Sequence, residues 1–128
     1  MILNADNKKP IYIQISDWLE TEILKGNLKQ DEKVYSQYKL AEMFTINPAT
    51  AAKGLNVLAE EGILYDKRGI GKFVSPDALG IIRRKRKNQT LKGLMKEIVL
   101  EAAYLGIGEK ELIDLLKEIR QEMEGEEN

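Results

Sequence analysis

The stretch SQYKLAEMFTINPATAAKGLNVLAEEG, residues 36–62, decides the fold, because it contains two helix starts separated by a turn. Ser36 stands where an N-cap is needed ahead of Leu40, Ala41 and Phe44, whose spacing is helical. Thr45, Ile46 and Asn47 read as the turn. Asn47-Pro48 then repeats the start signal, a capping side chain followed by proline at the first helical position. Ala51, Leu55 and Leu58 fall on one side of a helix over 48–61, and Gly62 ends it.

Downstream of this pair, ILYDK (63–67) and GKFV (71–74) read as two short strands joined around Arg68, Gly69, Ile70 and Gly71. Upstream, Pro10 opens a helix of about four turns in which Ile11, Ile15, Trp18, Leu19 and Ile23 recur at helical spacing, closed by Gly26. NLKQDEKVY (27–35) reads as a polar connection. Helix, helix, turn, helix, hairpin is the order of a winged helix-turn-helix, so the expected fold is mostly α with a small β-hairpin, the winged domain covering residues 1–76.

The remainder has a different character. RRKRK (83–87) marks residues 77–88 as a basic connector, read as solvated and self-repelling. Leu91, Leu94, Met95, Ile98, Ala102 and Leu105 then trace an apolar stripe, Gly106 to Gly108 interrupts it, and Leu112, Ile113, Leu116, Ile119 and Met123 trace another on a last helix. Two helices have too little surface to bury both stripes against each other, so a partner is needed. Residues 89–128 are therefore expected to be a C-terminal two-helix dimerisation appendage, with Leu91, Leu94, Ile98, Leu105, Leu112, Leu116, Ile119 and Met123 in the interface of a homodimer.

Charge divides along the same line. The net formal charge of −1 hides 15 Lys and Arg against 11 Asp and Glu over residues 1–88, and 5 against 10 over residues 89–128. A basic front and an acidic, leucine-rich tail suggest an anionic partner for one and a protein partner for the other. With 43% hydrophobic residues the chain can bury a core. It contains no cysteine and no histidine, which excludes disulfides, thiol nucleophiles, imidazole bases and nearly every zinc site. No window approaches a signal peptide or a membrane span, and a cytoplasmic protein is expected.

DKRGIGKFV (66–74) has the glycines and cations of a phosphate cradle, but not the spacing of one for nucleotides. A Walker loop ending at Gly71-Lys72 would need glycine at Asp66 and a hydroxyl at Phe73, and a dinucleotide fingerprint from Gly69 and Gly71 would need glycine at Val74. Ser36-Gln37-Tyr38-Lys39 matches the Ser-x-x-Lys pattern of acylating enzymes without their companion motifs, so Ser36 reads as a helix cap. No catalytic residue, metal ligand or cofactor is expected, and the chain is not read as an enzyme.

What remains is binding. With its apolar side inward, the 48–61 helix leaves Ala49, Thr50, Lys53 and Asn56 outward near its N-terminus, the part of a recognition helix that enters the major groove. Ala49 suits a thymine methyl, Thr50 a base edge or phosphate, and Lys53 guanine or a phosphate. A solvated helix face carries the same residues. Gly69 and Gly71 let backbone approach a narrow groove while Lys67, Arg68 and Lys72 supply charge for flanking phosphates; an ordinary tight hairpin with charged ends is the other reading.

Residues 10–74 resemble the winged-helix domain of the GntR family of bacterial transcription regulators almost end to end. The motifs that carry the resemblance are PIYIQI (10–15), Leu40-Ala41, INPAT (46–50) with Lys53, the Leu58, Glu61, Gly62, Ile63, Leu64 pattern and GIGKFV (69–74). The Asn47-Pro48 turn and the short tail look most like the YtrA-type subgroup, in which two C-terminal helices dimerise the protein. The resemblance implies a homodimeric, sequence-specific repressor on an inverted-repeat site in double-stranded DNA, contacted by Ser36, Lys39, Ala49, Thr50, Lys53, Asn56, Lys67, Arg68, Gly69, Gly71 and Lys72. Tyr38 stands where the family has a DNA-contacting arginine, Tyr35 replaces a proline, and Ala49 and Ala52 replace polar and basic residues. These departures move the expected reading of DNA to Lys39, Thr50 and Lys53. A winged-helix protein-interaction module, its basic face serving only solvation, is the alternative, and no residue pattern identifies an effector.

Overall fold

The computed structural model describes residue 3 and residues 8–127. The chain divides into two compact units, Met1–Lys85 and Arg86–Asn128.

In the first unit α1 spans Ile11–Leu24, α2 Gln37–Phe44 and α3 Pro48–Glu60, followed by strands β1, Leu64–Lys67, and β2, Gly71–Val74, and by α4, Ala78–Lys85. This is the winged helix-turn-helix with its hairpin. Ile15, Leu19, Leu40, Phe44, Ala51, Leu55, Leu58, Ile63 and Val74 form one core cluster, so all three early helices and the hairpin close over the same apolar centre. Pro10 sits one position earlier than the sequence suggests: it is the N-cap of α1, and its carbonyl accepts from the amides of Ile13 and Gln14.

A glycine lets α1 and α3 approach closely. A Cβ placed on Gly54 would lie 2.8 Å from the backbone carbonyl oxygen of Tyr12 and 3.0 Å from Cγ2 of Ile15, so at this crossing the α3 backbone meets both the backbone and a side chain of α1. The Ser16 hydroxyl, 1% exposed, donates across the crossing to the Gly54 carbonyl at 2.9 Å. A buried hydroxyl needs such a partner, and this one ties α3 to α1.

β1 and β2 pair antiparallel with Leu64 opposite Val74 and Lys67 opposite Gly71. Residues 27–35 are less passive than a polar connection. Leu28 and Val34 are buried, the Val34 amide donates to the Lys72 carbonyl at 2.8 Å and the Asp31 amide to the Val74 carbonyl at 2.8 Å. The segment thus lies along β2 and satisfies the edge of the wing.

The basic stretch differs from the expected solvated connector. Ala78 and Ile82 of α4 are 1% and 0% exposed and join the core, with Ile81 packed beside them. The apolar triplet at helical spacing wins over the self-repulsion of the cations, because Arg83 and Arg84 point to solvent and Lys85 is paired with carboxylates.

In the second unit residues Arg86–Leu91 form a π-helical stretch, α5 spans Lys92–Leu105 and α6 spans Glu109–Glu127. Gly106 caps α5 in the left-handed region at φ 69°, where glycine avoids the Cβ clash, and the Ile107 amide reaches back to the Ala102 carbonyl.

Candidate nucleic-acid interface

The start of α2 is built by Ser36, whose hydroxyl accepts the Lys39 amide at 3.1 Å; the Ser36 oxygen is therefore engaged as the cap, and Lys39 projects from the first turn. Thr45 ends α2 in the left-handed region at φ 54°, which turns the chain into Asn47. The Asn47 side chain accepts the Ala49 amide at 2.8 Å and Pro48 is the first residue of α3. No acidic residue stands in the first turn of either helix, so the positive ends of both dipoles are unopposed there.

Ala49, Lys53 and Asn56 are exposed on α3 and Thr50 is half-buried beside them, a continuous outward face. The Lys53 ammonium leans back over the Tyr12 ring, 4.2 Å from its centroid, which lends this exposed cation about 0.5–1 kcal/mol of attraction.

On the wing, Lys67, Arg68 and Gly69 are exposed at the tip, and Gly69 takes φ +78° with nothing within 4 Å of an added Cβ. The three cations are not equivalent. Lys72 is 2.7 Å from Asp66, its cross-strand partner in register, and the Lys67 ammonium lies 4.4 Å from the centroid of the Phe73 ring. Arg68 has no partner among the described residues. The cross-strand register that pairs Asp66 with Lys72 follows from where the glycine turn sits.

Ser36 is brought together with Gly71 and Lys72 in a cleft of about 240 Å³ between the start of α2 and the wing, lined also by Lys33, Tyr35, Tyr38, Leu55 and Ile70. Lys33 and Ile70 are not among the residues the sequence marks for binding, and Tyr38 holds the position of the family's DNA-contacting arginine. Tyr38 and Ile70 are 70% and 58% exposed, large apolar surface on a charged rim. The signal for Lys33 is its place beside Val34 in the segment that lies along β2, where it bridges Phe73. On β1, Tyr65 donates to Asp31 at 2.8 Å, and that hydrogen bond to a carboxylate holds the phenol above its ordinary pKa.

In the second unit Leu91 closes the π-helical stretch, Leu94, Ile98 and Leu105 lie on α5, and Leu112, Leu116, Ile119 and Met123 on α6. All but the half-buried Leu112 are between 43% and 63% exposed. Met95, Val99, Leu100 and Tyr104 are exposed as well, so α5 is apolar around most of its circumference. Among the described residues no group of acidic side chains suits a metal ion, and no helix is long and apolar enough to cross a membrane.

No protein-family model matches the sequence. The chain is 32% identical over 123 residues to the HTH-type transcriptional repressor YtrA of Bacillus subtilis, covering 96% of this chain and 94% of that protein. It superposes with a TM-score of 0.72 on a GntR family transcriptional regulator from Listeria monocytogenes, 33% identical, covering 88% of this chain and 97% of that one. The chain belongs to the GntR family. Its members are DNA-binding transcriptional regulators rather than enzymes. This GntR-family chain also matches AraR(DBD) solved in complex with an operator, with a TM-score of 0.54 and 25% identity over 59% of this chain and 95% of that one.

Proposed function

We propose that this protein is a homodimeric transcriptional repressor that binds an inverted-repeat operator, α3 reading bases and the wing holding phosphates. The observation that carries the dimer is the exposed apolar surface of α5 and α6, more than a soluble helix pair leaves open in water. A two-fold pairing buries such stripes, and a two-fold protein matches a two-fold site. Repression rests on likeness to relatives named as repressors. Of the residues assigned to DNA, Ala49, Thr50, Lys53 and Asn56 are suited to the major groove. Arg68 with Gly69 suits the flanking backbone, while Ser36 and Lys72 contribute through the cleft, Ser36 chiefly by capping α2. Lys39, Lys67 and Gly71 complete the set.

The test is made on the full chain. Light scattering should give twice the 14.6 kDa chain mass, and Leu94→Glu with Ile98→Glu should give the single mass. The same pair of substitutions should lower affinity for a full operator by about 100-fold while leaving half-site binding intact, since linkage and not contact is lost. A monomeric native chain, or a monomeric variant with undiminished affinity for the full site, rejects the reading.

A further inference from the structure

Lys33 stands outside the set of residues assigned to DNA, yet the fold places its charge between two elements of that set. The backbone around it is held along β2: the Val34 amide donates to the Lys72 carbonyl at 2.8 Å, the Val74 amide to the Glu32 carbonyl at 3.0 Å, and Lys33 itself bridges Phe73. Its side chain is thus rooted in the wing and not on a free loop. Gly71 is the diagonal cross-strand neighbour of Lys33, and the lysine stem lies over it, since a Cβ built on Gly71 would come 3.0 Å from Cε and 3.9 Å from Nζ. Any side chain at 71 would compete for the space that this stem fills.

The stem carries the ammonium to the cleft of about 240 Å³ between the wing and the start of α2. Of the charged side chains lining that cleft, Asp66 and Lys72 neutralise each other at 2.7 Å, and Lys33 has no carboxylate partner among the described residues. One residue therefore supplies the net positive charge of the cleft. On the α2 side stand the exposed Tyr38 and Ser36, whose hydroxyl is engaged as the helix cap. A lysine whose stem is already laid against the fold gives up less rotamer freedom on meeting an anion than one free in water.

We propose that Lys33 holds a backbone phosphate of the duplex in this cleft, a contact made in addition to those of α3 and the wing tip and one that reads no base. The proposal rests on the DNA-binding reading above. A phosphate is the anion that a duplex brings to a site between the wing and α2, and a lysine binds it as a point charge whatever base follows. Neutralising one phosphate releases condensed counterion and contributes a slope of about 0.9 in log affinity against log salt, or roughly fivefold in affinity between 1 M and 0.15 M salt.

The test uses the full chain, on the duplex it binds best and on random duplex. Lys33→Gln removes the charge at an exposed site, so urea titration should return the native midpoint; Lys33→Ala replaces it should the midpoint shift. The salt slope should fall by about one unit and the affinity at 0.15 M salt by about fivefold, equally on both duplexes. Lys33→Arg should keep the native slope. Lys29→Gln, the same loss of charge at an exposed lysine outside the cleft, should leave the slope unchanged. Ethylating the phosphates one at a time locates the contact: a phosphate whose ethylation weakens the native chain should be silent for Lys33→Gln. The proposal is overturned by an unchanged slope in Lys33→Gln, an equal fall in Lys29→Gln, a fall that Lys33→Arg shares, a loss confined to the best duplex, or one ethylation pattern for native chain and variant. A native chain whose affinity for DNA does not vary with salt rejects the DNA-binding reading itself, and the proposal with it.

Discussion

Gly54→Ala sets two known effects against each other at one position. In the middle of a helix, alanine is favoured over glycine by about 1 kcal/mol, so an exposed site would gain stability. At Gly54 the new methyl would lie 2.8 Å from the Tyr12 carbonyl oxygen and 3.0 Å from Ile15 Cγ2. The first neighbour is backbone and cannot rotate away, so α3 must move from α1 by several tenths of an ångström. Overpacking of this kind costs about 1–3 kcal/mol, and the displacement also stretches the buried Ser16 to Gly54 hydrogen bond, a further loss of about 1 kcal/mol. The net expectation is a loss of about 1–3 kcal/mol, or roughly 4–24 °C in Tm for a unit of this size. Urea titration and thermal melting followed by circular dichroism measure both. Gly54→Ala at or above native stability would refute the close crossing of α1 and α3 and, with it, the placement of α3.

Lys53→Ala should weaken binding to the best operator by about 1–3 kcal/mol and to random DNA by less, because a base contact exists only where the right base is present; equal losses reassign Lys53 to phosphate. On the wing, Arg68→Ala should lower the slope of log affinity against log salt by about one unit, and Lys72→Ala by less, since Asp66 already neutralises that ammonium. Equal slopes for the two variants would deny the Asp66 pair any part in binding. Lys85→Met should destabilise the fold by about 3 kcal/mol at neutral pH, measured by urea titration. Burial pulls the pKa of the Lys85 ammonium down, yet the hydrogen bonds it donates to Glu20 and to Glu61 more than offset this and leave its pKa above the ordinary 10.5. The folded state therefore holds this proton more tightly, so the advantage of the native chain over Lys85→Met is full below about pH 10.5 and shrinks as pH rises through the folded pKa. An advantage that grows toward high pH would reverse the assignment.

Local signals carry most of the fold. Ser36 and Asn47 cap the helices they announce, Pro48 begins α3, and the glycines at 69 and 71 place the hairpin turn, because each acts within a few residues of itself. What stays hidden depends on partners far along the chain. Val34 reads as part of a polar run, and only its pairing with Lys72 makes residues 27–35 an edge of the wing. Lys85 reads as one more cation in a basic tract, and Glu20 as one more charge on an amphipathic helix, until folding sets them 2.6 Å apart. Ala78, Ile81 and Ile82 do carry the helical spacing that makes α4, but the charge that follows them has the look of a connector. At the candidate interface, the exposed face of α3 follows from its apolar side, whereas the unequal wing cations follow from strand register, which sequence spacing does not supply.

The most direct measurement lets the protein choose its own operator. The full chain is used to select duplexes from a randomised library, and the enriched sequences are aligned. The expected product is a pair of inverted half-sites with centres about one helical turn, roughly 34 Å, apart, bound by two chains. Enrichment of a single half-site, of direct repeats, or of no sequence at all would contradict a two-fold repressor built on the apolar faces of α5 and α6.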